Sequence, residues 1–307
     1  MKQGTLINRR HFLEHCVTAP ATVGLGFLAT SCATAERTQQ KATPQFKSVQ
    51  QGTPQYRVSE EITRARPPAR EPLPGVFTSA ALELVYLIKC GDRSVLVDTG
   101  FLHNCDAHLA NFSAAGIDLE TIDAIFTTHF HVDHTAGLAH ARKRLRCPVF
   151  AHKNNVPIIE TGDRAATAAE MPYIAGWRFP YPPCKVDEVI EDGDDITVGS
   201  LAFRVVHLPG HTPGCTGYLW DGNLITGDVV FPGGSLGWND VHWGSNYLDV
   251  IDTVKRIADL NPKYLLPTHT APFPYDPSVT TNAQQGAREM LEGGRSGPIA
   301  YTQRAAR

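Results

Sequence analysis

Residues 128–134 read THFHVDH, three histidines and one aspartate in a single short run. Imidazole nitrogen and carboxylate oxygen are donors that borderline divalent cations accept. If AIFTTH is a strand that ends here, His129 and His131 stand two apart and point to one side, where both can bite a single ion. Asp133 and His134 follow as the chain turns, and project differently. Four ligands fanning from one turn suit two adjacent ions better than one. Three more segments share one form, an apolar run that ends in a polar ligand. LPGHTPG places His211 between tight turns, LITGDVV places Asp228 after a glycine, and LLPTHT places His269. A lone histidine at a strand end is most often a hydrogen-bonded surface residue. Five histidines and two aspartates presented in the same manner form a ligand set.

The elements that must position these residues follow from hydrophobic period. ALELVYLIKC and RSVLVDTG are two apolar β-runs joined by a GD turn, a hairpin. NCDAHLANFSAAG reads as helix, TIDAIFTTH as strand, TAGLAHARKRL as helix and PVFAH as a short strand. Residues 153–186 break the rhythm with Pro157, Pro172, Pro180, Pro182 and Pro183 among Tyr173, Trp177, Phe179 and Tyr181. Such a segment is either a lid or binding loop, or a surface excursion packed on itself. Strands resume in DITVG, LAFRVVHLPG, CTGYLWDG and NLITGDVVF. SNYLDVIDTVKRIADL carries a helical stripe of Leu248, Ile251, Val254 and Ile257, KYLLPTH is the last clear strand, and the tail beyond Asp276 reads as one helix. Strand–helix alternation in two successive halves implies two packed sheets with helices outside.

The 307 residues are 42% hydrophobic and 19% charged with net charge −3, an ordinary globular composition with no basic excess for nucleic acid. The first 35 residues stand apart. A basic start with Lys2, Arg9 and Arg10 precedes an apolar run too short and too rich in small residues to span a membrane. NRRHFL resembles a twin-arginine export signal, implying the twin-arginine translocation machinery as a partner and a periplasmic or extracytoplasmic location. Two processing sites compete: cleavage after Ala35, or a lipobox in LATSC that would lipidate Cys32, the latter slightly favoured. Residues 36–75 are polar and rich in proline and read as a tether, leaving 76–307 as the folded domain. Cys90, Cys105, Cys147, Cys184 and Cys215 lie beyond the signal and show no C-x-x-C spacing, which disfavours a cysteine zinc site.

The order DTG (98–100), HFHVDH (129–134), GHTPG (210–214), GD (227–228) and TH (268–269) resembles the metallo-β-lactamase superfamily across nearly all of residues 76–275. The resemblance implies an α/β fold, an αββα sandwich of two mixed β-sheets with helices on the outer faces and metals at one edge. It implies that His129, His131 and His211 bind a first metal and Asp133, His134 and His269 a second, with Asp228 bridging. Asp98 would brace the metal loops without binding metal. The implied cofactors are two divalent ions, Zn2+ by default with Mn, Fe or Co as substitutes. Between them a bridging water would lose its proton near neutrality and attack a carbonyl or phosphoryl centre. Asp133 would serve as both ligand and proton acceptor.

Departures narrow the reading within the family. Zinc β-lactamases usually carry Cys or Ser where this chain has Asp228. The residues after His269 are too few for the glutathione-binding helices of glyoxalase II, and no RNA-binding arm is visible. The ligand set looks most like that of lactonases, esterases and organophosphate hydrolases, which implies hydrolysis of a small ester or lactone outside the cytoplasm. A β-lactam hydrolase, a mononuclear iron oxidoreductase and a non-catalytic metal-binding surface protein are the alternatives. His103 and the stretch GWNDVHWGSNY, with Trp238, Asp240, His242, Trp243 and Tyr247, are candidates for the substrate pocket. His108, His140, His152 and His207 fall outside every motif and read as structural or surface residues.

Overall fold

The computed structural model describes the backbone of Thr5–Leu6 and residues 63–171 and 177–292. Arg9, Arg10 and Cys32, the tether over 36–62, Pro172 and Tyr173, and the tail from 293 onward lie outside the described residues. Thr5–Leu6 is a two-residue strand, β1. Arg66–Leu73 (β2), Val76–Ala80 (β3), Leu84–Cys90 (β4), Arg93–Val97 (β5), Ile122–Phe126 (β6), Val149–His152 (β7) and Glu188–Ile190 (β8) form one sheet in chain order. Its first half is antiparallel and β5 to β8 run parallel. Parallel neighbours need crossovers. Cys105–Ala114 (α1), the single turn Val132–Thr135 (α2), Leu138–Leu145 (α3) and Val156–Thr161 (α4) supply them.

The second sheet runs β1, Asp195–Val198 (β9), Leu201–His207 (β10), Thr216–Trp220 (β11), Asn223–Gly227 (β12), Tyr264–Pro267 (β13) and Phe273–Pro274 (β14). Here β1 lies parallel to β9, and β12 to β13, the latter pair spanned by Tyr247–Leu260 (α5). Pro277–Glu292 (α6) closes the described chain.

Period-2 alternation sorts the side chains into layers. Tyr86, Ile88, Val95, Val97 and Phe126 face Phe203, Val205, Tyr218, Ile225 and Leu266 across the interior between the sheets. Phe126 stacks on Tyr218 at 4.6 Å and meets Phe203 edge-on. The alternate residues Leu87, Leu96 and Ile125 face Leu109, Phe112, Leu138 and Ala141 of α1 and α3. Val206, Leu224 and Leu265 face Val250, Val254, Ile257, Val279 and Ala283 of α5 and α6. The expected α–β–β–α layering is what the chain forms. Two interior hydroxyls satisfy themselves on strand ends: Tyr218 donates to the Thr127 carbonyl (2.9 Å) and Tyr86 to that of Pro267 (2.6 Å). Both carbonyls lie two residues before a candidate ligand, so the core anchors the chain where the site begins.

Three expectations change. The fold begins before residue 76, because Arg66–Leu73 is a strand rather than the end of a tether. Its exposed Arg- and Pro-rich sequence is what an edge strand tolerates, since prolines there forfeit no inner ladder bond. Residues 153–186 are not wholly irregular, since they contain α4, with Pro157 in its first turn. The buried stripe of α5 is Val250, Thr253, Val254 and Ile257, while Leu248 is exposed. Thr253 occupies the buried face because its hydroxyl donates to the Pro209 carbonyl at 2.6 Å, a reason that hydropathy alone does not register.

Candidate metal centre

All seven candidate ligands and Asp98 emerge from C-terminal ends of strands at one edge of the sandwich. Asp98 follows β5, His129 to His134 follow β6, His211 follows β10, Asp228 follows β12, and His269 follows β13. The strand before His129 stops at Phe126, so His129 and His131 sit on the loop entering α2 rather than on strand positions. They converge nonetheless. His129 Nε2 lies 3.1 Å from His131 Nδ1, and His211 Nε2 lies 3.2 and 3.0 Å from those two atoms.

Hydrogen-bond accounting fixes what those nitrogens offer. The Thr128 hydroxyl donates to Asp98 Oδ2 (2.7 Å), so it accepts from the Nδ1–H of His129 (3.0 Å), leaving Nε2 as a lone pair. Burial pushes His129, His131 and His211 well below the ordinary imidazole value, His211 to about 4, and facing imidazoles add to the effect. Three neutral rings presenting nitrogen to one point, 3.0–3.2 Å apart, match bonds of about 2.0–2.1 Å to one cation.

The second group is carboxylate-rich. His269 Nε2 lies 3.3 Å from Asp133 Oδ2 and 3.0 Å from Asp228 Oδ2, and His134 Nε2 lies 3.5 and 3.6 Å from the same oxygens. Asp228 Oδ2 is also 3.7 Å from His211 Nε2, so one oxygen faces both groups. Burial alone would raise the two carboxyls, but His134 and His269 hold both well below the usual carboxylate range. Conversely, burial would lower the two imidazoles, and Asp133 and Asp228 hold them well above their ordinary value. The carboxylates thus demand positive charge at this point. The sets His129–His131–His211, His129–His134–Asp228 and Asp133–His134–His269 each gather their donor atoms within 4.8 Å, a geometry suited to metal ions.

Outer hydrogen bonds aim the ligands. Asp98 accepts from the Thr128 N–H (2.8 Å) through Oδ1 and from His134 Nδ1–H (3.0 Å) through Oδ2, at a left-handed φ of 60°. His269 Nδ1–H donates to the Leu82 carbonyl (2.9 Å), and the Thr268 hydroxyl donates to Asp228 Oδ1 (2.6 Å). Thr128 and Thr268 were not singled out from sequence. The signal was present, since each directly precedes a candidate ligand in a Thr-His pair.

Of the pocket candidates, Trp243 is placed against the site, its ring 4.7 Å from that of His131. Trp238 packs behind it at 5.5 Å, and Ala168, Met171 and Trp177 complete the cluster. Three described residues of the 153–186 segment, Ala168, Met171 and Trp177, therefore back this wall of the site. His103 bonds to Thr63 Oγ1 (2.8 Å) and stacks on Phe179, within the neighbouring cluster of Phe101, Val132, Phe179 and Tyr181. His242 is exposed and bonded to Asp240 (2.6 Å), because the tight turn Val241–Trp243 sends successive side chains to different faces. Tyr247 packs on the core beneath α5 instead of lining the site.

The metallo-beta-lactamase superfamily model matches residues 81–269, more than half of the chain, and the chain belongs to that superfamily. An acyl-coenzyme A thioesterase from Gallus gallus is 27% identical over 193 residues, covering 57% of this chain and 66% of the relative. A hydroxyacylglutathione hydrolase from Halorhodospira halophila is 37% identical over 112 residues, 36% of this chain and 34% of the relative. The chain thus spans less than two thirds of either protein. The subclass B3 metallo-beta-lactamase BJP-1 of Bradyrhizobium japonicum superposes with a TM-score of 0.62 at 21% identity, covering 77% of this chain and 96% of that one, a likeness of fold.

Proposed function

We propose that the protein is a binuclear metal-dependent hydrolase of small esters, thioesters or lactones. His129, His131 and His211 would hold one ion, Asp133, His134 and His269 the other, and Asp228 both. The observation that carries this is the single oxygen, Asp228 Oδ2, lying 3.0–3.7 Å from ring nitrogens of both groups. Two dications, Zn2+ by default, supply water activation near neutral pH and polarisation of a carbonyl oxygen. The chain's own residues do the rest. Asp133 and His269 are the partly exposed members of the set, so substrate approaches from their side. Asp133 Oδ2 is there to take up a proton as the carbonyl is attacked. Trp243 and the cluster behind it offer an apolar face to the acyl part of a substrate and exclude water from that side. The thioesterase and hydroxyacylglutathione hydrolase relatives support a carbonyl electrophile.

Elemental analysis of the full chain, paired with ester, thioester, lactone, phosphotriester and β-lactam substrates, tests this. Two ions per chain and turnover of a carboxylic ester, thioester or lactone are expected. One bound iron without hydrolysis would overturn it. Asp228→Ala is expected to lose the second ion and most turnover, and unchanged turnover would refute the shared role of Asp228. We further propose that NRRHFL directs export. Replacing Arg9 and Arg10 by lysine should retain the protein in the cytoplasm, and export of that variant would refute the proposal.

A further inference from the structure

Behind the second ligand group lies a buried acid that no motif includes. Glu83 is fully buried in the turn between β3 and β4. Its Oε1 lies 3.1 Å from Nε2 of His108 on α1, and its Oε2 is buried with no hydrogen-bond partner. The network fixes the direction of each bond. Asn111 donates to Ser79 Oγ (2.9 Å), so the Ser79 hydroxyl is free to donate to His108 Nδ1 (2.8 Å). His108 then carries its proton on Nε2 and gives it to Glu83. A half-satisfied buried carboxylate opposes folding, and such groups persist where the neighbouring structure gains from them.

What gains here is the placement of two ligands. The turn that holds Glu83 clamps the His269 loop on both sides. The Leu82 carbonyl receives His269 Nδ1–H, and the Leu84 N–H donates to the Thr268 carbonyl at 2.5 Å. On its other flank the pair abuts Gly100, where a Cβ would stand 2.5 Å from Glu83 Oε1 and 2.8 Å from His108 Nε2. Gly100 in turn donates its N–H to the His134 carbonyl at 3.2 Å, beside Thr99, which does so at 2.8 Å. The pair therefore backs the imidazole of His269 through the Leu82 turn and the backbone of His134 through Gly100, whereas the ring of His129 is held by Thr128 and the core behind β6, with no contact to the pair.

We infer that Glu83, through His108, is a positioning residue for the second metal ion and not for the first. The inference rests on the binuclear reading above. Zn2+ affinities of the full-length chain, measured by competition with a chromophoric chelator and checked by elemental analysis, test it. Glu83→Ala is expected to weaken the second ion 10- to 100-fold, the range for outer-shell changes, with the first unchanged. Glu83→Gln is expected to restore it, because the amide oxygen still accepts from His108 Nε2–H. If Glu83→Ala does not fold, the paired change Glu83→Leu with His108→Phe removes both polar partners together and leaves no buried charge. A folded variant of either kind that binds both ions as the parent does, or that loses both equally, overturns the inference. A parent chain that binds a single ion overturns the binuclear reading and the inference with it, and shows this before any variant is made.

Discussion

His129 and His134 each have one ring nitrogen committed to a neighbour, and both commitments lead to Asp98, directly for His134 and through Thr128 for His129. Asp98 is therefore the residue where both ligand groups are aimed from a single carboxylate. Asp98→Asn is expected to lower metal affinity 10- to 100-fold while leaving the stoichiometry at saturation intact, measured by chelator competition. Asparagine offers one acceptor oxygen where two serve now. A variant with parental affinity would show that Asp98 shapes the loop only through its backbone. The ligands themselves were legible in sequence, because donor type and position after an apolar run are local properties. Asp98 was readable only through resemblance. Glu83 and His108 were not readable at all, since a glutamate in ALELVY looks like the exposed member of an alternating strand. Its burial depends on α1, which packs on it from 25 residues away.

At the scale of elements, the parallel half of the first sheet is tied down by Asp187, just before β8. It accepts two bonds from Arg142 of α3, each 2.8 Å, and the N–H of Val149 at 3.1 Å. Burial alone would raise its carboxyl, but the Arg142 guanidinium and the Val149 N–H together leave it below its ordinary value. A lowered folded-state value means stability that is present above the unfolded carboxylate value of about 3.9 and lost as pH falls through the folded one. Asp187→Asn should therefore cost roughly 2 kcal/mol at pH 7, from lost charged hydrogen bonds. The difference from the parent should shrink as pH falls through the lowered folded-state value, as read by urea unfolding. A pH-independent difference would show that packing, not charge, is lost. Elements with strong period, such as β4, β5, β6 and α5, were readable. The strand β2 was not, because an edge strand is free to carry the arginines and prolines that otherwise mark a tether. For α5 the element was readable but its face was not, as Thr253 is buried by a hydrogen bond.

For the whole molecule, loops from both sheets meet at one edge, yet the interior between the sheets is closed by Phe126, Phe203 and Tyr218 with no candidate ligand among its packed side chains. Chelation is therefore expected to lower Tm, since ions bind only the folded chain, while far-UV circular dichroism at 25 °C stays unchanged. Loss of secondary structure on chelation would mean that the ions hold the sandwich together. Close packing in all three layers of the sandwich has a chemical consequence. Burial pushes the thiols of Cys90, Cys105, Cys184 and Cys215 up to about 12, and only a thiolate is a good nucleophile. The four sit in different places: at the end of β4, at the start of α1, ahead of β8 and ahead of β11. Each is silent to alkylating reagents until its own neighbourhood opens, so the chain carries four internal clocks. Mapped peptide by peptide, their labelling rates would report which parts of the sandwich breathe first.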